Sequence, residues 1–305
     1  MLGASERTER FAQIARRSGA LAIVANDQRE SLRTLLAAAG RAASDGDVSR
    51  FKVDVTRALS PLASAILIDP QFGLRAVESA AARDPGCGLI VAADRLVQEP
   101  GEVVVDTSFD ESLPLDDYVL AGAAALKLLV IWRRSDDAAA RQAMVARFVD
   151  RCRELGVLSV VEAVCRVPDP GSTGDETEWQ RDRDILAAAA ELGSFEPDLY
   201  KAEVPSLGTA PPLEIERMSA DVTASVPCPW VVLSGGVDAE IFPTAVLAAC
   251  RGGASGFLAG RGIWGPSISA PDPIRALTED AATRLSELIA IVDAEARPWQ
   301  EAAAT

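Results

Sequence analysis

Eight short apolar runs, separated by helix-like segments, constrain this sequence more than any other feature. They are Leu21–Asn26, Ala65–Asp69, Gly88–Ala93, Leu126–Trp132, Leu158–Val164, Asp198–Val204, Trp230–Gly235 and Ser255–Gly260. Most are near-continuously apolar rather than alternating, the pattern of parallel strands buried on both faces. Asp198–Val204 departs from it, with three charges. Asp136–Leu155, with no interior Gly or Pro, reads as a long helix, and Asp182–Leu192 and Ala239–Arg251 read as others. Eight strand–helix units in 305 residues predict an α/β fold, a single (β/α)8 TIM barrel over residues 1–305. The alternative is a doubly wound open sheet. That fold usually brings a glycine-rich turn after its first strand, and here the first strand ends Ala25-Asn26-Asp27-Gln28. Glu102–Thr107 reads as an extra short strand in the third βα loop. Pro168–Glu178 reads as a polar loop over the mouth of the barrel, a plain solvated connection or a lid.

Composition narrows the chemistry. The chain has no histidine, which closes Ser-His-Asp and Cys-His catalysis and His-ligated zinc. Acid–base work falls to Asp, Glu, Lys, Tyr or Cys. No metal site and no cofactor are expected. The formal net charge of -15 offers no basic excess to neutralise nucleic-acid phosphates, although a local basic pocket can still take an anionic small molecule. Five scattered cysteines, Cys87, Cys152, Cys165, Cys228 and Cys250, form no closely spaced pair and read as reduced thiols of a cytoplasmic protein. Glu6, Arg7, Glu9 and Arg10 argue against a secretory leader at residues 1–10. The longest near-apolar stretch, Val119–Trp132, contains Lys127 and is too short for a membrane span, so no membrane association is expected.

The active site of a TIM barrel lies at the C-terminal ends of its strands. At or near those ends stand Asp27, Asp69, Asp94, Lys127, Glu162, Lys201, Ser234 and Arg261, one for each of the eight runs. Lysine is almost never fully buried without a partner. Lys127 and Lys201 inside apolar strands therefore call for an explanation. Each could pair with an interior carboxylate as structure alone. The functional reading is an amine beside another cation and partly desolvated, two effects that lower a lysine pKa and expose a neutral nucleophile. Glu162 suits a general acid/base, or serves only as the counter-ion of Lys127 or Lys201. Glu203 shares strand parity with Lys201 and competes for that role. Ser234-Gly235-Gly236 and Gly260-Arg261-Gly262 close the last two strands, where this fold usually binds phosphate. Backbone N–H groups and an arginine fork would hold the anion there. Together these groups suit a lysine that forms an iminium with a phosphorylated ketone. The iminium is an electron sink that lets a neighbouring carbon–carbon bond break in a retro-aldol reaction.

At these residues the sequence resembles class I aldolases of the tagatose-bisphosphate type, from about Ser18 to Asp293. Among them it looks closest to the sulfosugar branch, the sulfofructosephosphate (6-deoxy-6-sulfofructose-1-phosphate) aldolases. The segments that carry the resemblance are residues 26–33 (NDQRESLR), 58–69 (ALSPLASAILID), 125–133 (ALKLLVIWR), 198–205 (DLYKAEVP) and 254–261 (ASGFLAGR). The resemblance implies a TIM barrel that cleaves sulfofructose 1-phosphate, in sulfoquinovose breakdown, to dihydroxyacetone phosphate and 3-sulfolactaldehyde. It implies Lys201 as the Schiff-base lysine, Glu162 as the proton shuttle and Lys127 as the lysine beside the carbinolamine. Asp27 and Gln28 would contact substrate hydroxyls, and Ser234, Gly235, Gly260 and Arg261 would cradle the phosphate. It also implies a homo-oligomer. Glu30 after Arg29, and Trp132-Arg133 after the fourth strand, depart from the tagatose branch in the direction of the sulfosugar branch. Arg29, Arg133 and Lys52 are candidates for the sulfonate, and Arg29 is expected among the substrate-binding residues. The alternatives are a tagatose- or fructose-1,6-bisphosphate aldolase and a phosphosugar-binding regulator without catalysis. Four intact chemistries, at Lys201, Glu162, Lys127 and Asp27, speak against the last.

Overall fold

The computed structural model of the protein describes residues 3–98, 104–166 and 181–303. Eight parallel strands close into a barrel: β1 (Leu21–Asn26), β2 (Ala65–Ile68), β3 (Gly88–Ala92), β4 (Ala123–Trp132), β5 (Leu158–Cys165), β6 (Leu199–Glu203), β7 (Trp230–Leu233) and β8 (Gly256–Ala259). Each strand pairs with the next in the chain, and β8 returns to β1 through Leu21↔Gly256 and Ala22↔Phe257. Every run expected to be a strand is one, and closure rules out the open sheet. Strand β4 begins at Ala123 rather than Leu126, because its first alanines already pair with β3 at Leu89 and Ile90. The three charges of the weakest run do not disrupt β6. Asp198 stands just before the strand, where its carboxylate accepts hydrogen bonds from Arg7 and from the backbone and hydroxyl of Ser159. Lys201 and Glu203 point into the barrel.

After β3 the chain forms an antiparallel hairpin of Asp94–Gln98 and Val104–Phe109. This is the expected extra strand, shifted toward its C-terminal side and paired with a partner that sequence reading did not identify. Its residues 102 and 103, like the expected loop Pro168–Glu178, lie outside the described residues. Helices Ala138–Leu155, Arg181–Gly193 and Phe242–Arg251 match the expected helices to within a few residues. Among the described residues no helix is long and apolar enough to cross a membrane.

Two apolar clusters hold the barrel. The larger packs helices against its outer wall. The smaller fills its interior with Leu21, Ile23, Ala25, Ile90, Ala92, Leu158, Val160, Leu199, Val231 and Leu258. These alternate along their strands, as the period of two requires. At the N-terminal end of the barrel, helix Ala4–Ile14 closes the floor, with Phe11 stacked on Trp299 at a ring distance of 4.5 Å. The apolar layers fill the barrel from below. The same inward-facing register then reaches Asp27, Asp94, Lys127, Glu162 and Lys201 at the opposite end.

Candidate active site

A cavity of about 630 Å³ opens at the C-terminal ends of the strands. Asp27, Gln28, Lys127, Glu162, Lys201, Ser234, Gly235, Gly260 and Arg261 line it. Sequence reasoning singled out each of these, and the barrel gathers them into one chamber. Its size suits a small ligand held on most sides.

The register of the sheet explains the central contacts. Glu162 and Lys201 are direct partners on β5 and β6, so their side chains leave the same face at the same height. Lys201 Nζ lies 2.7 Å from Glu162 Oε1. On the other side, Lys127 Nζ lies 3.2 Å from Glu162 Oε2, so one carboxylate bridges both lysines. Lys127 is held further by Asp27 at 2.6 Å and Asp94 at 2.9 Å. Lys201 makes a single carboxylate contact within 4 Å among the described residues. Burial opposes the charge on Lys127, but Asp27, Asp94 and Glu162 outweigh it and hold the ammonium well above its ordinary pKa. Burial likewise works against ionised Asp27, and Lys127, followed by Lys201, overcomes it, leaving this carboxyl far below the usual carboxylate range. Asp27 is thus a fixed anion and Lys127 a fixed cation.

Asp94 is the pivot behind Lys127. Its Oδ2 accepts from Lys127 Nζ and from the Leu129 backbone N–H at 3.0 Å. Its Oδ1 accepts from Arg29, whose other terminal nitrogen donates to the Asp94 carbonyl at 2.8 Å. Arg29, expected among the substrate-binding residues, does not line the cavity. The buried guanidinium is turned away from the cavity onto Asp94, the nearest anion behind the chamber wall. Lys52, a candidate for the sulfonate, does not line the cavity either. It is fully buried, with Nζ 2.6 Å from Asp69 and 2.6 Å from the Asn26 carbonyl. Its helix, Asp45–Leu59, buries Val48, Phe51, Val55 and Leu59, and Lys52 lies on that same stripe. The side chain is therefore directed inward beneath the site. Arg133 donates to the Val105 carbonyl and pairs with Asp136, also outside the cavity wall. Glu30 pairs with Arg33, and the Trp132 indole N–H donates to Glu191. The residues that set the sulfosugar branch apart in sequence therefore stand around the site rather than in it. Glu203 does line the cavity, but it pairs with Arg181 at 2.6 Å and accepts from the Cys165 N–H, so it does not compete for Lys201.

The far wall suits an anion. Gly260 approaches the Ala25 carbonyl so closely that a Cβ would stand 2.5 Å from that oxygen. The Gly262 N–H donates to Ser234 Oγ at 3.3 Å, tying the ends of β7 and β8 together beside Arg261. Gln28 Oε1 is buried without a hydrogen-bond partner among the described residues, an acceptor facing the chamber. Sequence reasoning missed two cavity cations, Arg166 and Arg181. Arg166 was readable, because it continues the inward alternation Glu162, Val164, Arg166. Its N–H donates to the Trp132 carbonyl and carries the β4–β5 ladder one residue further. Arg181 follows a long intervening segment, and no periodicity links it to the site.

Known proteins resemble this chain in sequence and in fold. The tagatose 1,6-diphosphate aldolase 2 of Streptococcus mutans is 26% identical over 99% of this chain and 98% of its own length. The tagatose 1,6-diphosphate aldolase of Listeria innocua is 27% identical over 92% of this chain and 90% of its own. Among solved structures, the fructose-bisphosphate aldolase of Plasmodium falciparum matches the fold with a TM-score of 0.71 at 13% identity, covering 97% of each chain. A Schiff-base-forming fructose-1,6-bisphosphate aldolase matches with 0.58 at 19% identity, over 94% of this chain and 99% of that one. The sequence model of the DeoC/LacD family aldolases matches residues 21–265, most of the chain and all eight strands of the barrel. This protein therefore belongs to the DeoC/LacD family of aldolases and is a carbon–carbon lyase.

Proposed function

We propose that the protein is a class I aldolase in which Lys201 attacks the ketone of a ketose 1-phosphate, and that its substrate is 6-deoxy-6-sulfofructose 1-phosphate. The observation that carries the lysine assignment is the unequal restraint of the two cavity lysines. Three carboxylates fix Lys127 as an ammonium, whereas among the described residues Lys201 meets one, and that one can accept its proton. Lys201 Nζ gives a proton to Glu162 and adds to C2. The resulting carbinolamine loses its oxygen as water, protonated through Glu162, and leaves an iminium. A base then removes the C4 hydroxyl proton, the C3–C4 bond breaks, and its electrons pass to the iminium as an enamine. The aldehyde half departs. Protonation at C3 and addition of water release dihydroxyacetone phosphate and restore Lys201. Glu162, in contact with Lys201 and anchored on its other oxygen by Lys127, serves these transfers. Lys127 stabilises the developing oxyanion at C2. Asp27, permanently ionised, accepts hydrogen bonds from substrate hydroxyls. Ser234, Gly235, Gly260 and Arg261 receive the phosphate.

The bisphosphate reading, tagatose 1,6-bisphosphate as substrate, is favoured by the names of the relatives. Release of dihydroxyacetone phosphate from the two sugars, compared as kcat/KM, separates the readings. A preference of about tenfold for the sulfonated sugar, roughly 1.4 kcal/mol, supports the sulfosugar reading, and the reverse moves the chain to the tagatose reading. Borohydride reduction in the presence of dihydroxyacetone phosphate tests the lysine. Labelling of the peptide that contains Lys201 is expected. Labelling elsewhere, or none, would refute the Schiff-base assignment.

A further inference from the structure

Arg166 and Arg181 enter the cavity from the end of β5 and the start of helix Arg181–Gly193. Neither is used by the chemistry above, and the phosphate cradle lies on β7 and β8. Glu203 braces Arg181: one oxygen accepts from its guanidinium at 2.6 Å and the other from the Cys165 N–H at 2.8 Å. Arg181 also donates to the Val204 carbonyl at 3.3 Å. Arg166 donates from one terminal nitrogen to the Cys165 carbonyl at 3.4 Å, while its Nε is buried without a hydrogen-bond partner among the described residues. Two guanidiniums thus face one cavity wall, with Glu203 beside them.

We propose that Arg166 and Arg181 form a second anion subsite, which takes the tetrahedral oxyanion at the far end of the sugar while Arg261 and its glycines take the 1-phosphate. The proposal rests on the aldolase reading for the identity of the sugar, but not for the existence of the subsite. The ligand chemistry is a sulfonate or phosphate with three acceptor oxygens, matched by the planar donor forks of two arginines. Burial works against the charge on Arg166. Glu203 favours it, Arg133 and Arg181 oppose it, and the balance leaves its pKa below the ordinary arginine value. A bound anion relieves that strain. The subsite therefore favours a substrate, and an aldehyde product, that carries its own charge over a neutral sugar tail.

Binding of carbonyl-free polyols tests this without any iminium step. Calorimetry would compare hexitol 1-phosphate, 6-deoxy-6-sulfohexitol 1-phosphate and hexitol 1,6-bisphosphate. The intact protein should bind at least one two-anion ligand about tenfold more tightly than the monophosphate. The tighter of the two identifies the anion as sulfonate or phosphate. Arg166→Gln should bring that advantage down to about threefold or less and leave the monophosphate Kd unchanged. Arg166→Lys, which keeps charge without the fork, should fall between. Arg181→Gln should act like Arg166→Gln, and the Arg166 variants carry the test alone if freeing Glu203 impairs folding. Equal affinity for all three ligands in the intact protein would overturn the subsite, as would an advantage that survives in Arg166→Gln. Because these ligands cannot form a Schiff base, a failure of Lys201 to label with borohydride would refute the mechanism and leave this result intact.

Discussion

The chain contains three lysines, and all three are buried around the cavity end of the barrel. Their partners divide their work. Among the described residues, Lys52 meets Asp69 beneath the chamber, Lys127 meets Asp27, Asp94 and Glu162, and Lys201 meets Glu162. No exposed lysine competes for reductive labelling. Lys201→Met should therefore abolish covalent capture of dihydroxyacetone phosphate, whereas Lys127→Met should slow turnover and leave any captured label on Lys201; mass mapping of tryptic peptides checks both. The ion cluster also sets a pH dependence. Asp27 has a depressed pKa in the folded chain, so its contribution to stability is present above the unfolded carboxylate value of about 3.9 and is lost as pH falls toward the folded value. Asp27→Asn should cost about 2 kcal/mol at pH 7, and the deficit relative to the unmodified protein should shrink as pH falls below about 4. Urea unfolding at several pH values reads it directly. A deficit that stayed constant into acid would mean that the packing of Asp27, rather than its charge, is what stabilises the fold.

At the scale of the element, alternation along the strands made the site legible. Apolar interior residues lead in register to a charged one: Leu21, Ile23, Ala25, then Asp27 on β1 and its extension, and Leu158, Val160, then Glu162 on β5. Parallel strands buried on both faces leave continuous apolar runs, so the barrel and the rank of the catalytic candidates could be read from sequence. What could not be read were contacts between elements distant in the chain. Arg29 reads as a substrate residue, and its pairing with Asp94, two residues beyond β3, is announced by nothing local in either segment. Lys52 was legible in part, since it shares the buried stripe of Val48, Phe51 and Val55, but its partner Asp69 comes from another element. This pair makes a prediction at the same scale. Lys52→Met leaves Asp69 buried without its cation and should cost about 3–5 kcal/mol, while adding Asp69→Leu should recover much of that loss; thermal unfolding of the single and double variants measures the coupling. Gly260 carries a tighter constraint, because the close approach to Ala25 leaves no room for a methyl group. Gly260→Ala should push β1 and β8 apart at the wall proposed to hold the phosphate, raising KM for a 1-phosphate substrate more than it lowers kcat.

Across the whole molecule, the barrel separates the groups that hold it together from the groups proposed to react. The interior apolar cluster fills its lower part, and helix Ala4–Ile14 seals the floor through Phe11 and Trp299, which come from opposite ends of the described chain. The buried charges gather at the other end, where the strands stop and the apolar layers no longer exclude them. This division is required by the energetics, since an ammonium or carboxylate among the lower layers would lack the partners that make its burial tolerable. It also means that stability and chemistry should respond to substitution independently. Phe11→Ala removes a fully buried ring and its stacking partner's support, and should cost about 3–5 kcal/mol. Below its unfolding transition the variant should retain kcat, because no step of the reaction touches the floor. Lys201→Met should do the reverse, eliminating turnover while the melting temperature shifts far less. Since the two positions lie at opposite ends of the barrel and share no partner, their stability effects in the double variant should add to within about 0.5 kcal/mol. A larger departure from additivity would show that the floor and the mouth are coupled through the strands, and that closing the barrel at one end helps to set the geometry of Lys201 and Glu162 at the other.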